Sequence, residues 1–269
     1  MEINCKNHIT QYIPLLLLIF VSGCASLPDA TTDQIDNRRV EYVLSRHDTV
    51  PVVFEIGLMG KLNEWEKVLH DISKDTTTFA YNRPGYGKSD LTSTPRDGTH
   101  IVDELRTLLR SKGLNPPYVL VGHSLGGLYM QLFARRYPEE VNALILVDSV
   151  HPEQFTGKES FDALPALIRV GFAVVTSGVE KNEFNASNQT GESVLALPTF
   201  TGKPVMVLSA SKPLAEKSEL ADDANEKRKD IARLYPGSKQ IWVDSGHNIQ
   251  REKPESIVAA IREVISTHP

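Results

Sequence analysis

The segment around Ser124 constrains the fold of this chain more than any other. It consists of the apolar run Tyr118-Val119-Leu120-Val121, the pentapeptide Gly122-His123-Ser124-Leu125-Gly126 and a following stretch with helical periodicity. A sharp turn from a strand into a helix leaves space only for very small side chains two positions before and after its central residue, and glycine meets that requirement. The pattern therefore predicts a buried strand that turns directly into a helix at Ser124.

The rest of the chain repeats this alternation of short, β-rich apolar runs and helical patterns. Such alternation predicts an α/β fold with a mostly parallel sheet flanked by helices on both faces. The predicted strands are Arg39–Leu44, Val50–Ile56, Thr77–Tyr81, Tyr118–Val121, Ala143–Val147, Pro204–Ser209 and Gln240–Val243. The predicted helices are Glu64–Ser73, Ile101–Ser111, Gly126–Tyr137, Asp222–Leu234 and Pro254–Thr267.

More than fifty residues separate the strand ending at Val147 from the strand starting at Pro204, which is longer than one crossover needs. We expect residues 151–200 to form a small cap insertion over one edge of the sheet. Within it, the apolar stretch Ala163–Val175 predicts a helix, and the polar stretch Asn182–Glu192 predicts a loop.

The length and charge of the chain limit the number of domains and the kinds of partner. A chain of 269 residues with 41% hydrophobic residues suffices for one large core, so we expect a single domain over residues 38–269. Its net charge of -5 comes from 34 acidic and 29 basic side chains mixed along the chain. Without a basic patch, a nucleic-acid partner is not expected. No feature of the sequence indicates an oligomeric state.

The N-terminal segment has the pattern of a signal peptide over residues 1–23. Its apolar run, Tyr12 to Val21, is about half the roughly 20 residues that a bilayer span needs. The segment Val21-Ser22-Gly23-Cys24 resembles the lipobox of bacterial lipoproteins, in which the cysteine becomes the lipidated first residue. A plain signal peptide and an uncleaved anchor remain alternatives.

The lipobox resemblance implies a localisation for the protein. Lipidated Cys24 would anchor the protein to a membrane of the bacterial cell envelope, and Ala25 resembles the sorting pattern for the outer membrane, facing the periplasm. Residues 24–37 are rich in Thr, Asp, Asn and Ala, which is typical of a flexible tether. Cys5 and Cys24 are the only cysteines, so the folded domain has no thiol for a disulfide, a metal site or a nucleophile.

A serine hydroxyl needs a base to act as a nucleophile, and His247 is the best candidate for Ser124. It lies after Gly246, in the loop between the last predicted strand and the last predicted helix. The order Ser then His matches the order found with this type of elbow. The alternatives are that His247 is an ordinary loop histidine, or that His123 is the base, although His123 is expected to project away from Ser124.

Two positions compete for the acid that would orient His247. Asp148 ends the predicted strand Ala143–Val147, at the edge where Ser124 also lies. An acid commonly follows the next strand, which ends at Ser209, but no carboxylate stands at its tip. The nearest acidic residues there are Glu216, Glu219, Asp222 and Asp223. We select Asp148 and leave the later positions open.

Two backbone N–H groups are expected to stabilise an oxyanion. One is that of Leu125, directly after the nucleophile. The other is that of Leu58, in the tight turn Gly57-Leu58-Met59-Gly60 after the strand Val50–Ile56. An ordinary glycine turn is the alternative for the second.

With these residues the chain resembles the α/β-hydrolase superfamily over its whole mature length. Tyr81-Asn82-Arg83-Pro84-Gly85-Tyr86-Gly87-Lys88-Ser89 is similar to the family segment after the fourth strand, with Asn82 where Asp is usual. Glu55-Ile56-Gly57 departs from the common His-Gly pair, so its hydrogen bonds are expected to differ. The resemblance implies a cap at residues 151–200 and no metal or organic cofactor.

The resemblance implies hydrolysis of a small-molecule carboxylic ester through an acyl-enzyme on Ser124. Members of this fold also cleave thioesters, amides, lactones and carbon–carbon bonds, and fold alone does not choose among them. A different alternative is a non-catalytic envelope protein that uses a hydrolase fold for binding.

Overall fold

A computed structural model of the chain describes residues 27–156, 174, 176–212 and 219–267. Its strands are β1 (Thr31–Ile35), β2 (Arg38–Ser45), β3 (Val52–Glu55), β4 (Thr78–Tyr81), β5 (Tyr118–His123), β6 (Val141–Val147), β7 (Val205–Ala210) and β8 (Lys239–Val243). They form one sheet in the order β1-β2-β4-β3-β5-β6-β7-β8. β2 pairs antiparallel with β1 and β4, and the other pairs are parallel.

From β3 onward, helices lie in every connection between strands, and two more follow β8. They are α1 (Glu66–Ile72), α2 (Gly98–Ser111), α3 (Leu125–Arg136), α4 (Gly178–Asn185), α5 (Ser187–Leu195), α6 (Glu219–Asp230), α7 (Ile249–Glu252) and α8 (Pro254–Thr267). Short 3₁₀ turns cover Leu62–Trp65, Pro138–Glu140 and Ile231–Leu234. The prediction of a mostly parallel sheet flanked by helices is confirmed. None of the helices in these ranges has the length and hydrophobicity to cross a bilayer.

The core consists of two apolar layers, one on each face of the sheet. Along β5, Val119 and Val121 face the layer that contains α1 and α8, while Tyr118 and Leu120 face the layer that contains α2 and α3. This alternation follows from the two-residue repeat of a strand. In α3, every residue except Arg136 is buried, so this helix lies at the centre of the molecule.

The N-terminal boundary of the fold differs from the predicted one. The segment expected to be a flexible tether, residues 24–37, belongs to the domain from Leu27 onward. Leu27 is only 8% exposed within the core, and β1 pairs with β2 from Thr31, which lies opposite Tyr42. Four of the five residues of β1 are exposed polar side chains, so backbone hydrogen bonds hold this edge strand without any apolar pattern.

The insertion between β6 and β7 is helical where a loop was expected. The prediction of a loop at Asn182–Glu192 is wrong, because this stretch contributes to α4 and α5. α5 is buried on one side through small residues, and the Thr190 hydroxyl accepts a hydrogen bond from the Gly98 N–H at 2.9 Å. The helix predicted at Ala163–Val175 falls almost wholly outside the described residues.

Candidate active site

Ser124 lies between β5 and α3, in the sharp turn that the glycine spacing predicts. Its backbone has φ 53° and ψ -124°, a conformation that non-glycine residues rarely adopt. Its N–H donates to the Val147 carbonyl at 3.1 Å, and its own carbonyl accepts from Gly127 and Val150 at 2.9 and 3.0 Å. These backbone bonds fix the serine next to the end of β6.

The glycines on either side of Ser124 are required by close backbone packing. A Cβ at Gly122 would lie 2.7 Å from the Gly126 carbonyl oxygen. A Cβ at Gly126 would overlap the Ile56 carbonyl and lie 2.6 Å from that of Glu55. The elbow is thus pressed against the end of β3 as well as β6.

Asp148 and His247 meet at the same edge of the sheet. His247 Nδ1 lies 2.6 Å from Asp148 Oδ2. The other carboxylate oxygen accepts from the Ala210 N–H at 3.0 Å and from Arg228 Nε at 2.9 Å. The Asp148 side chain is completely buried, and its φ of 38° lies in the left-handed region. The structure therefore brings together the two residues selected as acid and base.

The protonation of Asp148 and the tautomer of His247 follow from the groups around them. Burial alone would raise the pKa of Asp148, but the hydrogen bond from His247, the charges of His247 and Arg228 and the Ala210 N–H lower this pKa to about 2. An ionised carboxylate only accepts hydrogen bonds, so His247 Nδ1 is the donor. In neutral His247, Nε2 then carries the free lone pair, which is the tautomer that a general base needs.

The other acids considered for this role do not contact His247 in the described part of the chain. Asp222 and Asp223 are exposed on α6, and Asp223 pairs with Lys227 at 2.9 Å. Glu216 lies outside the described residues, and the side chain of Glu219 is not described. Of the positions left open by the sequence, the geometry favours Asp148.

His123 is a neighbour of His247 and has no free ring nitrogen. Its Nε2 lies 3.0 Å from the His247 carbonyl oxygen and its Nδ1 lies 3.2 Å from Gln250 Nε2. A carbonyl can only accept, so Nε2 donates and Nδ1 accepts. Burial, together with the charge of His247, lowers the pKa of His123 to about 3. His123 is therefore a neutral histidine that holds the backbone of the His247 loop.

The two predicted oxyanion donors, the N–H groups of Leu125 and Leu58, belong to segments that lie next to Ser124. Leu125 is the first residue of α3, where an N–H has no acceptor within the helix. Leu58 lies in a turn that the Gly60 N–H closes onto the Gly57 carbonyl at 3.3 Å, and within the described part of the chain its N–H meets no acceptor. A Cβ on Gly57 would be only 3.0 Å from the Cβ of Ser124, so this turn lies directly against the serine.

Arg228 and Glu183, both near the site, were not identified from the sequence, and Arg83 was noted only as part of the family-like segment after the fourth strand. Arg228 contacts Asp148, while Arg83 and Glu183 form a buried pair behind the Leu58 turn. A charged residue on a polar helix gives no sequence signal that it reaches a distant strand end. Cys24, the predicted lipidation site, lies outside the described residues.

This arrangement of sheet, elbow and strand-end side chains defines an α/β hydrolase. A model of the alpha/beta hydrolase fold matches residues 50–245, which is more than half of the chain, so the chain belongs to this family.

Individual proteins that resemble the chain share a modest fraction of its residues. The chain is 24% identical to the uncharacterized protein YqjL of Bacillus subtilis over 225 residues, covering 80% of this chain and 83% of YqjL. It is 30% identical to the human (lyso)-N-acylphosphatidylethanolamine lipase over 175 residues, covering 63% of this chain and 50% of the lipase. A thermophilic esterase from Thermogutta terrifontis has a similar structure, with a TM-score of 0.65 and 21% identity over 89% of this chain and 99% of the esterase. At this identity the structural match shows the fold alone.

Proposed function

We propose that this protein is a serine hydrolase that cleaves a carboxylic ester through an acyl-enzyme intermediate. The observation that carries the proposal is the 2.6 Å contact between His247 Nδ1 and the buried carboxylate of Asp148, beside the elbow that presents Ser124. The name of the human lipase, which denotes ester cleavage, supports an ester as substrate.

In the first step of the proposed reaction, the enzyme is acylated on Ser124. Ser124 Oγ attacks the ester carbonyl while His247 Nε2 takes its proton, and the ionised Asp148 stabilises the resulting imidazolium. The negative charge on the former carbonyl oxygen is held by the N–H groups of Leu125 and Leu58. His247 then protonates the departing alcohol, which leaves an acyl group on Ser124.

Water completes the cycle. His247 removes a proton from a water molecule that attacks the acyl carbonyl, and the second oxyanion occupies the same two donors. Collapse of this intermediate releases the carboxylic acid and returns the proton to Ser124. The substrate proposed here is a small-molecule ester with one scissile acyl–oxygen bond.

The test combines fluorophosphonate labelling with turnover of p-nitrophenyl acetate and butyrate. The variants are Ser124→Ala, Asp148→Asn and, as the matched control for the acid, the double variant Asp222→Asn/Asp223→Asn. We expect Ser124→Ala to abolish labelling and turnover. Removing a triad acid lowers the rate on the order of 10⁴-fold, so Asp148→Asn should be nearly inactive while the double variant remains active.

Each alternative gives a different result. Turnover that persists in Ser124→Ala would refute the mechanism. An active Asp148→Asn with an inactive double variant would move the acid to α6. A wild-type protein that is folded but neither labelled nor active on any ester would point to a binding protein with a hydrolase fold.

We also propose that Cys24 carries a lipid that anchors the protein to the bacterial cell envelope, at the outer membrane and facing the periplasm. The support is the lipobox-like segment Val21-Ser22-Gly23-Cys24 at the end of an apolar run. Several acyl chains hold a protein firmly on a bilayer, whereas one alone binds reversibly. The substrate would then be an ester present in or reaching the envelope.

A further inference from the structure

Arg83, two residues after β4, is completely buried, and each of its five N–H groups has an acceptor. Nη1 donates to Glu55 Oε1 at 2.6 Å and to the Ile56 carbonyl at 2.7 Å. Nη2 donates to the Gly57 carbonyl at 3.0 Å and to Glu183 Oε2 at 2.9 Å, and Nε donates to Glu183 Oε1 at 3.0 Å. An unsatisfied buried donor costs about 1–3 kcal/mol, so this complete set of bonds fixes one arrangement.

Three of these acceptors belong to the segment that leads into the Leu58 turn. In a trans peptide the carbonyl oxygen and the following N–H point in opposite directions. By binding the Gly57 carbonyl, Arg83 directs the Leu58 N–H to the opposite side of that peptide plane. Gly57 itself lies against Ser124, so the guanidinium sets the orientation of the second oxyanion donor from behind.

The other two acceptors come from α4, in the insertion between β6 and β7. Glu183 is completely buried, and its two oxygens form a bidentate pair with Nε and Nη2 of Arg83. The Tyr86 hydroxyl also donates to Glu183 Oε2, at 2.8 Å. Burial alone would lower the pKa of Arg83, but the carboxylates of Glu183 and Glu55 raise it well above its ordinary value.

We propose that Glu183 is a positioning residue for the oxyanion hole, acting through Arg83 on the Gly57–Leu58 peptide. Without its carboxylate, two N–H groups of Arg83 lose their acceptor, and the guanidinium shifts toward Glu55 on the other side. The Leu58 N–H then moves from its position beside Ser124. The cap thereby contributes to transition-state stabilisation without touching substrate. This inference rests on the proposed serine-hydrolase function.

The test is Glu183→Gln, which preserves the shape of the side chain but removes its charge and one acceptor oxygen. A displacement of about 1 Å at a reacting group costs on the order of 100-fold, and loss of a whole oxyanion donor costs 10²–10³-fold. We therefore expect kcat for p-nitrophenyl acetate to fall about 10- to 100-fold. KM should stay within about twofold, because the ground state does not use the oxyanion donor.

A second readout addresses the oxyanion directly. Ser124 Oγ adds to the carbonyl of a trifluoromethyl ketone, its proton passes to His247, and the ketone oxygen becomes the oxyanion of a stable hemiketal. The inhibition constant should rise by the same factor by which kcat falls. An unchanged inhibition constant with a lower kcat would overturn the proposal.

Two control variants separate positioning from a general effect of the cap. Glu180→Ala removes the carboxylate that accepts from the Ser177 N–H in the capping box of the same helix, without contact to Arg83. Glu192→Gln removes an exposed charge from α5. Both should retain kcat. If Glu180→Ala reproduces the effect of Glu183→Gln, general loosening of the cap explains it and the proposal fails.

Two further results decide the remaining cases. If Glu183→Gln does not fold, Glu183→Asp replaces it, because this variant retains the charge but withdraws the carboxylate by one methylene. A wild-type kcat in Glu183→Asp would overturn the proposal. A fall in kcat at constant KM would support it. Wild-type protein without fluorophosphonate labelling would refute the serine mechanism itself, whereas a fully active Glu183→Gln refutes only the positioning role.

Discussion

Single residues in the site hold conformations that the surrounding backbone has to enforce. Ser124 and Asp148 both have positive φ, at 53° and 38°. Such conformations cost on the order of 1–3 kcal/mol each and persist only where several contacts oppose relaxation. Here the Val147 carbonyl holds the Ser124 N–H at 3.1 Å, and the Leu208 carbonyl holds the Asp148 N–H at 2.8 Å. The two strained residues are thus stabilised by the strands beside them.

His123 gives a residue-scale prediction about acid stability. Its folded pKa is about 3, whereas a histidine in the unfolded chain titrates near pH 6.5. Between these values the unfolded state binds a proton that the folded state does not, so stability is present above pH 6.5 and is lost as the pH falls toward 3. In His123→Gln this contribution disappears. The difference in unfolding free energy, wild type minus variant, should fall by about 2–3 kcal/mol between pH 7 and pH 4.5.

The measurement is urea denaturation at a series of pH values. His70→Gln is the matched control, because His70 is exposed on α1 and takes no part in the network behind His247. This control should follow the wild-type pH dependence. A difference between wild type and His123→Gln that stays constant from pH 7 to pH 4.5 would show that His123 does not resist protonation.

At the scale of elements, predictability follows the side-chain pattern. The seven predicted strands all occur with ends shifted by two residues or fewer. β3 to β7 are fully buried in a covered sheet, and the partly exposed β2 and β8 still place apolar side chains such as Val43 and Ile241 against the core. β1 was not predicted, since its sequence Thr-Thr-Asp-Gln-Ile has no apolar repeat. Backbone pairing with β2 joins it to the sheet, and Ile35 is its one apolar side chain against the core. Sequence periodicity detects elements that bury side chains and misses those held by backbone pairing.

α4 and α5 illustrate the same limit for helices. They bury polar and small residues, including Glu183 and Thr190, whose partners lie on other elements. A polar stretch without an apolar stripe is typical of a loop, and the capping box at Ser177 and Glu180 was the available helix signal. Their location depends on tertiary contacts that a local pattern does not contain.

The junction between α3 and β3 gives the element-scale prediction. Alanine normally stabilises a helix by about 1 kcal/mol over glycine, but a Cβ at Gly126 would lie 2.6 Å from the Glu55 carbonyl oxygen. Backbone atoms cannot move aside as a flexible side chain can. The cost of overpacking therefore exceeds the gain in helix propensity, and the substitution should destabilise the protein. We expect Gly126→Ala to lower the free energy of unfolding by about 1–3 kcal/mol and to reduce kcat by displacing the Gly57 turn.

Gly178→Ala is the control for this change. Gly178 begins α4, and a Cβ there would have no atom within 4 Å. It should leave kcat unchanged and stabilise the protein slightly, by up to about 1 kcal/mol. Urea denaturation and p-nitrophenyl acetate turnover measure both effects. Equal stability of Gly126→Ala and wild type would contradict the tight packing of the elbow on β3.

At the scale of the whole molecule, parallel topology explains which site residues the sequence could locate. Ser124, Asp148 and His247 each follow a strand, and the ends of parallel strands meet at one edge, so their proximity was predictable from order alone. The pair Arg83 and Glu183 is separated by 100 residues and joins the segment after β4 to α4, in the insertion between β6 and β7. Its two members have no shared motif, and only the three-dimensional structure brings them together.

The position of Leu27 changes the expected relation between anchor and domain. The sequence predicted a tether over residues 24–37, but Leu27 already packs in the core. Only two residues, Ala25 and Ser26, then lie between Leu27 and Cys24. The three residue steps from Cys24 to Leu27 span about 10 Å when extended. If Cys24 is lipidated, the domain is held close to the membrane surface beside β1, with little freedom to diffuse away from it.

The anchoring itself is tested by Cys24→Ser in cells that express the full-length chain. Cys24 is one of two cysteines, and Cys5 lies in the segment that processing would remove, so Cys5→Ser is a matched control. Loss of all acyl chains removes the apolar surface that holds the protein on a bilayer. We expect Cys24→Ser to move from the membrane pellet to the soluble fraction while Cys5→Ser remains in the pellet, measured by immunoblot. Retention of both variants in the pellet would favour an uncleaved apolar anchor. If mild detergent leaves both the wild type and Cys24→Ser in the pellet, the protein is aggregated and its sedimentation does not report lipid binding.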